Sequence, residues 1–485
     1  MQGNGAVRRS AVGSGILTGI STAAVSGSAA AAGAILSRKF GHGVKTDGFF
    51  QAYGLYIALV LVANALRVVV LPAFARSRAE RRLGAEVGTW AVALAVPLVP
   101  ILAVSLVAPH WVAGLLTGGA RSQHQAAVLI PWLVPAAAAQ IYAGIAASGL
   151  AALDDYGTAA FGFAAGAVAG LAVIVALVGH GVQAFGWGLA LNGAVALALP
   201  LAVLAARRGI GLPDAGLTSR LRTLAEGVAL PFALQGLYVI ALRFASGLGE
   251  GRPTTFSYAY LISALLVAVT ASSLALVSSV PLARGELTPA RAGRHVVSAS
   301  WLSLAVVGAA AGVFAVAGAQ VARWALGSSY GGGTGSQLGR LVVYLAPWMV
   351  ASVAVSVAFP LLFVRGRARF LPLLAVGILA LHVLVEWGGR AAFGLAGIAA
   401  GMAVTTGLTL AALLWSLGSL VQALRGLLVA AAVCGGLAAA AFGVPRAVLD
   451  AVPAAAIGLV AYAAVLVCWR PLGLRTAWTY ARTLR

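Results

Sequence analysis

Arg67 and Arg243 are the basic side chains that fall inside apolar stretches of this 485-residue chain, and each could do chemistry there. A charge at the centre of a membrane helix costs about 2.5–3.5 kcal/mol on insertion scales, so such residues mark binding or transfer paths. Asn64 lies three residues before Arg67 and shares nearly the same helical face. A guanidinium beside an amide can hold an anionic headgroup rich in oxygen acceptors. Gln235 stands eight residues before Arg243 and shares its face, while Gln140 and Asn192 bring amides to two further apolar runs. Two bland readings stand beside these. Either arginine can extend along its helix to the nearer interface, and the amides can join helices to each other. The run from Thr18 to Ser28 adds five hydroxyls among Gly and Ala, suited to close packing or to a cavity wall.

Other chemistries lack their residues. All eleven acids fall in connections or at the ends of apolar runs, so no carboxylate relay at mid-depth is visible. The six histidines are dispersed, without HExxH or a Cys/His cluster. Cys434 and Cys468 sit in apolar runs as small hydrophobes. Asp154 and Asp155 read as a turn or helix cap. GGGTG at Gly331–Gly335 lacks the lysine and strand of a phosphate loop and reads as an outer loop. The expectation is a chain that is not an enzyme and takes no cofactor or metal.

The elements that must position these residues follow from composition. The chain is 61% hydrophobic and 9% charged, against about 45–50% and about 25% in soluble domains. Backbone in lipid must be satisfied within helices or a closed barrel, and continuous runs such as Ala159–Val178 lack the alternation of barrel strands. A hydrocarbon core needs about 20 apolar residues per helix. That rule predicts an all-α polytopic membrane protein of fourteen spans at 12–36, 52–74, 88–108, 126–152, 159–178, 186–206, 227–246, 255–280, 296–318, 341–363, 371–387, 394–415, 427–445 and 452–470. Arg8 and Arg9 before the first run resemble the start of a cleavable signal, but the run to Leu36 is long enough to span.

The net charge of +21 is spread over short connections instead of one face, which argues against nucleic acid and for anionic lipid headgroups. With a cytoplasmic N-terminus, 21 of the 32 Lys and Arg lie inside, nine lie outside, and Arg67 and Arg243 remain within spans. The positive-inside rule therefore predicts cytoplasmic termini in a cell (inner or plasma) membrane. Arg38, Lys39 and Lys45 are the exception.

A weak internal repeat follows. Leu71–Arg82 (LPAFARSRAERR) pairs with Val280–Arg294 (VPLARGELTPARAGR), and Ile130–Val134 (IPWLV) pairs with Ala346–Val350 (APWMV), at offsets of 209 and 216 residues. Chance likeness among Ala/Leu/Val-rich helices is the alternative. The reading is a lobe of six helices over 1–206, a second over 207–415, and two further helices with a basic tail over 416–485. Six helices per lobe keep both in one orientation, a parallel pseudo-repeat with a cavity between the lobes.

Phe40–Leu55 (FGHGVKTDGFFQAYGL) and Leu71–Ala75 (LPAFA) resemble the MurJ/MviN lipid II flippase family of the multidrug/oligosaccharidyl-lipid/polysaccharide (MOP) exporter superfamily. The family has a similar Phe-Gly-x-Gly-x-x-Thr-Asp-x-Phe-Phe stretch after its first helix and Val/Leu-Pro-x-Phe at the end of its second. The resemblance implies alternating-access transfer of a polyprenyl-linked glycan precursor, lipid II or a related envelope intermediate, with envelope-synthesis enzymes as possible partners. The family's Arg-Asp pair late in helix 1 and Asp-Arg pair early in helix 8 have no counterpart in Ser28–Leu36 or Ser257–Ala264, which leaves Arg67 as a substitute cation. Two other readings stay open: a polysaccharide or small-molecule exporter of the same superfamily, and a non-transporting scaffold for envelope synthesis.

Overall fold

The computed structural model describes residues 3–207, 209–214, 216–283 and 288–468, and these form helices joined by short connections, with no strand among them. Fourteen helices are long and apolar enough to cross a membrane, and each coincides with one expected span. The chain is an all-α polytopic membrane protein. It packs as two compact units, one ending at Gly251 and the other starting at Arg252.

The first unit holds α1 (Gly3–Phe40), α2 (Val44–Ala79), α3 (Leu83–Val107), the short α4 (Pro109–Leu116), α5 (Ala120–Ala152), α6 (Tyr156–Leu177), α7 (Gln183–Ala206) and α8 (Leu217–Ser246). Helix α2 packs on α5 and α8, and α6 packs on α7. The packing boundary thus falls after α8, whereas the sequence repeat divides at residue 206. The repeat concerns correspondence between segments, and packing concerns which faces are buried.

Local sequence explains how the helices start and meet. The connection that the expected spans leave at 37–51 is mostly helix, because α1 runs to Phe40 and α2 begins at Val44. Thr46 Oγ1 accepts the Gly43 N–H at 3.0 Å and donates to the Gly43 carbonyl at 2.9 Å, closing the first turn of α2. Asp47, buried beside it, accepts the Gly251 N–H at 2.7 Å. A carboxylate there also complements the helix dipole. Gly48 follows because a Cβ would stand 2.5 Å from Gln125 Cβ on α5. The motif that carries the family resemblance is therefore a structural clasp.

Asp155 caps α6 by accepting the Thr158 N–H at 3.0 Å and pairs with Arg207 at 2.8 Å, while Asp154 pairs with Arg78 at 2.6 Å. The turn-or-cap reading of these two carboxylates holds. Close approach of α6 and α7 relies on glycine, since a Cβ at Gly170 would lie 2.5 Å from the Gly188 carbonyl. At the start of α3, Arg220 Nη2 donates to Glu86 at 2.9 Å, Trp90 Nε1 donates to the same carboxylate at 2.9 Å, and Arg82 pairs with Asp214.

The second unit holds α9 (Arg252–Ala283), α10 (Pro289–Leu326), α11 (Gly332–Tyr344), α12 (Ala346–Val364), α13 (Leu371–Phe393), α14 (Leu395–Ser416), α15 (Leu420–Val448) and α16 (Ala451–Cys468). Two expectations are corrected here. GGGTG is no loop but the first turn of α11, with Gly335 buried and its Cβ position 2.2 Å from the Tyr330 carbonyl. The tenth span is shorter than 341–363, because the chain breaks at Leu345 and restarts with Pro347 in the first turn of α12. Tyr462 ties α16 to α10 by donating to the Ala305 carbonyl at 3.0 Å.

Candidate functional site

Within the first unit, α1, α2, α5 and α6 enclose a cavity of about 480 Å³. Its wall combines one cation, Arg67, with Gln140, the hydroxyls of Ser21, Thr22 and Ser26, and the rings of Tyr156 and Phe163. The serines and threonine come from the polar run of α1, where spacings of one, four and five residues keep them on one side of a helix. Small neighbours let α1 approach α6 closely enough for Ser21 Oγ to donate to the Ala160 carbonyl at 2.6 Å.

Arg67 projects from α2 with its guanidinium carbon 5.9 Å from the centroid of the Phe163 ring, a cation–π contact worth about 0.5–2 kcal/mol. Among the described residues no carboxylate lies within ion-pair distance of it. An exposed guanidinium without an ion pair among the described residues, beside three hydroxyls, is suited to a phosphate or another anionic group. Gln140 is buried, and its Nε2 donates to Asn192 Oδ1 on α7 at 3.2 Å. It both lines the cavity and joins α5 to α7.

The sequence-level candidates divide accordingly. Arg67 and Gln140 come together. Asn64 lies on α2, but its side chain is outside the described residues. Gln235 is half-buried on α8, and Arg243 is exposed in the last turn of that helix, with a guanidinium nitrogen 3.0 Å from the Cβ position of Gly118. Neither lines the cavity. Phe163 and Tyr156 went unnoticed in the sequence, since aromatic residues in apolar runs carry no signal of their own.

The second unit contains a cavity of about 710 Å³ of the opposite character, between α10, α12, α14 and α15. Leu304, Val307, Val350, Leu410, Leu427 and Phe442 are among its lining residues, and among the described residues of the wall the Cys434 thiol is the one side chain that is not hydrocarbon. Ala430–Gly443 (AAAVCGGLAAAAFG) leaves that space on α15, because small residues fill little of it. Among the described residues no group of three or more His, Cys, Asp or Glu could hold a metal.

Comparison with known proteins bears on this geometry. No family model matches the sequence, and no curated protein matches it either. Solved structures do match. A lipid II flippase MurJ in an inward closed conformation aligns with a TM-score of 0.72 at 12% identity, covering 94% of this chain and 99% of that one. An inward-facing multidrug resistance MATE transporter of the MOP superfamily aligns at 0.64 with 16% identity, covering 84% and 94%. A MOP superfamily transporter from Pyrococcus furiosus aligns at 0.57 with 14% identity, covering 86% and 94%. The fold is that of the MOP transporters. The likeness to the MurJ structure is one of fold, along nearly the whole length of this chain.

Proposed function

We propose that this protein is a flippase or exporter that moves an amphipathic, polyprenyl-linked glycan precursor of the cell envelope across the membrane by alternating access. One observation carries the reading: Arg67, with no ion-pair partner among the described residues, stands in a cavity whose wall sets three hydroxyls, an amide and two aromatic rings among Ala, Val and Gly. That wall suits an anionic linkage bearing sugars, with the guanidinium on the charge and the hydroxyls on the glycan. The apolar cavity of the second unit suits hydrocarbon chains. The MOP fold supports transport as the class of activity, and the two-lobe pseudo-repeat belongs to the same proposal. So do the cytoplasmic termini, the inner-membrane location, the anionic lipids at the cytoplasmic face and the envelope-synthesis partners.

The test is a flipping assay in proteoliposomes with fluorescent polyprenyl-pyrophosphate-linked sugars, comparing the natural protein with Arg67→Ala and Arg67→Lys. The expected result is transfer by the natural protein, loss with Ala and partial retention with Lys. Transfer of small apolar cations in place of the lipid-linked sugar would establish the small-molecule exporter. Transfer of no lipid by the natural protein would leave the scaffold reading.

A further inference from the structure

The ionisable pair His382 and Glu386 lies far from any role assigned above. The sequence placed Glu386 at the end of a span closing at 387, because Trp387-Gly388-Gly389-Arg390 reads as a break. Helix α13 instead continues to Phe393, so Glu386 sits about two turns, roughly 10 Å, inside it. Both side chains are 0% exposed, and His382 Nε2 lies 3.3 Å from Glu386 Oε1, one turn apart on the same face. Apart from that contact neither carboxyl oxygen has a hydrogen-bond partner. On the far side of the ring, His382 Nδ1 lies 3.0 Å from Thr405 Oγ1 on α14.

The surroundings are shaped around the pair. Gly401 of α14 faces the carboxyl, where a Cβ would lie 2.7 Å from Oε1. Thr405, Thr406 and Thr409 bring three buried hydroxyls along α14, and that of Thr406 has no partner. Helix α14 carries no ionisable residue at all. Among the described residues the other element substantially packed against α13 is the 3-10 turn Ala368–Phe370, whose Arg369 precedes the far end of the helix. On α13 itself, the remaining charge is Arg390, half-buried one turn beyond Glu386.

An apolar pair would pack α13 on α14 at less cost than buried ionisable groups. Such groups inside a membrane helix mark ion or proton paths. Two weakly basic sites within 3.3 Å of each other can hold one proton between them at zero net charge, as carboxyl with neutral imidazole or as carboxylate with imidazolium. We propose that His382 and Glu386 form a proton-binding site whose occupancy controls the α13–α14 contact. With one proton bound, the pair is neutral overall and fits its apolar surroundings. When that proton passes to water, the pair is left with a net charge of −1 between two helices, which favours a conformation that hydrates it. No bond between heavy atoms changes. Proton binding stands apart from the transport reading; its use to drive movement rests on that reading.

The test is infrared difference spectroscopy of the full-length protein in lipid bilayers, titrated by pH, for the natural protein, Glu386→Gln, His382→Gln and Thr405→Val. The expected result is a pH-dependent carboxylic C=O band that is absent in Glu386→Gln. Its midpoint should move by about one pH unit or more in His382→Gln, a tenfold change in proton affinity, and by less in Thr405→Val. Arg67→Ala should leave the band unchanged even where it abolishes flipping, which separates this site from the headgroup cavity. Persistence of the band in Glu386→Gln, or a midpoint that ignores both His382→Gln and Thr405→Val, would overturn the proposal. So would a band that answers to sodium concentration at fixed pH instead of to protons. If Glu386→Gln does not fold, the His382 and Thr405 midpoints decide the matter alone.

Discussion

The two units enclose cavities that differ in what they can hold. In the first unit the wall around about 480 Å³ sets a guanidinium, an amide and three hydroxyls among Ala, Val, Gly and two aromatic rings. In the second about 710 Å³ is walled by Ala, Gly, Leu, Val and Phe with a single thiol. Both are built from helices apolar enough to cross a membrane, so the contrast comes from a few positions. Three hydroxyl residues in α1 and one arginine in α2 give the first cavity its polar groups, and a run of small residues in α15 makes the second merely empty. A polar cavity needs a ligand that replaces water at the guanidinium; an apolar one needs only a ligand with hydrocarbon surface.

The largest test of this contrast is Arg67→Ala. A hydrogen bond to a charged group is worth about 1.5–3 kcal/mol, so flipping of an anionic lipid should fall roughly 10- to 100-fold in a proteoliposome assay, with Arg67→Lys between the two. Next in size is Gly435→Phe. No atom lies within 4 Å of the Cβ position of Gly435, so a ring can enter the apolar cavity without disturbing the helix. Pocket contacts are worth about 1–3 kcal/mol per methylene, and affinity for polyprenol should fall about tenfold while affinity for a soluble sugar pyrophosphate is unchanged, as read by equilibrium binding.

Gln140→Ala is smaller. It removes one interhelical hydrogen bond worth about 0.6 kcal/mol in membranes, so thermal stability should drop slightly and flipping by less than about threefold. Arg243→Ala is the smallest. Its side chain is exposed in the last turn of α8, where a cation is worth about 0.3–1 kcal/mol to the helix. Stability should change by that amount and headgroup affinity should not; a tenfold loss of affinity would bring Arg243 into the headgroup site.

Much of this was legible in the sequence, for identifiable reasons. The fourteen crossings follow from the length of apolar runs, which the thickness of a bilayer fixes. Arg67, Gln140 and the α1 hydroxyls stood out because polar residues in hydrocarbon are costly. Asp47 was legible as part of a motif but not as a clasp, since its partner Gly251 is 204 residues away. Glu386 was misplaced because two glycines and an arginine look like a helix end, while α13 continues through all three. An i, i+4 spacing of His382 and Glu386 was the signal available. The apolar cavity had no signal, because hydropathy registers what side chains are made of and not the space they leave unfilled.

The central claim is that the first unit holds the anionic polar group and the second holds hydrocarbon. Site-specific photo-crosslinking tests it most directly, with a photoreactive residue at Ser26 or at Gly435 and two separate probes, a soluble sugar pyrophosphate and a polyprenol. The account predicts that the sugar pyrophosphate labels the Ser26 position and the polyprenol labels the Gly435 position. Equal labelling of both positions by both probes, or the reverse pattern, would contradict it.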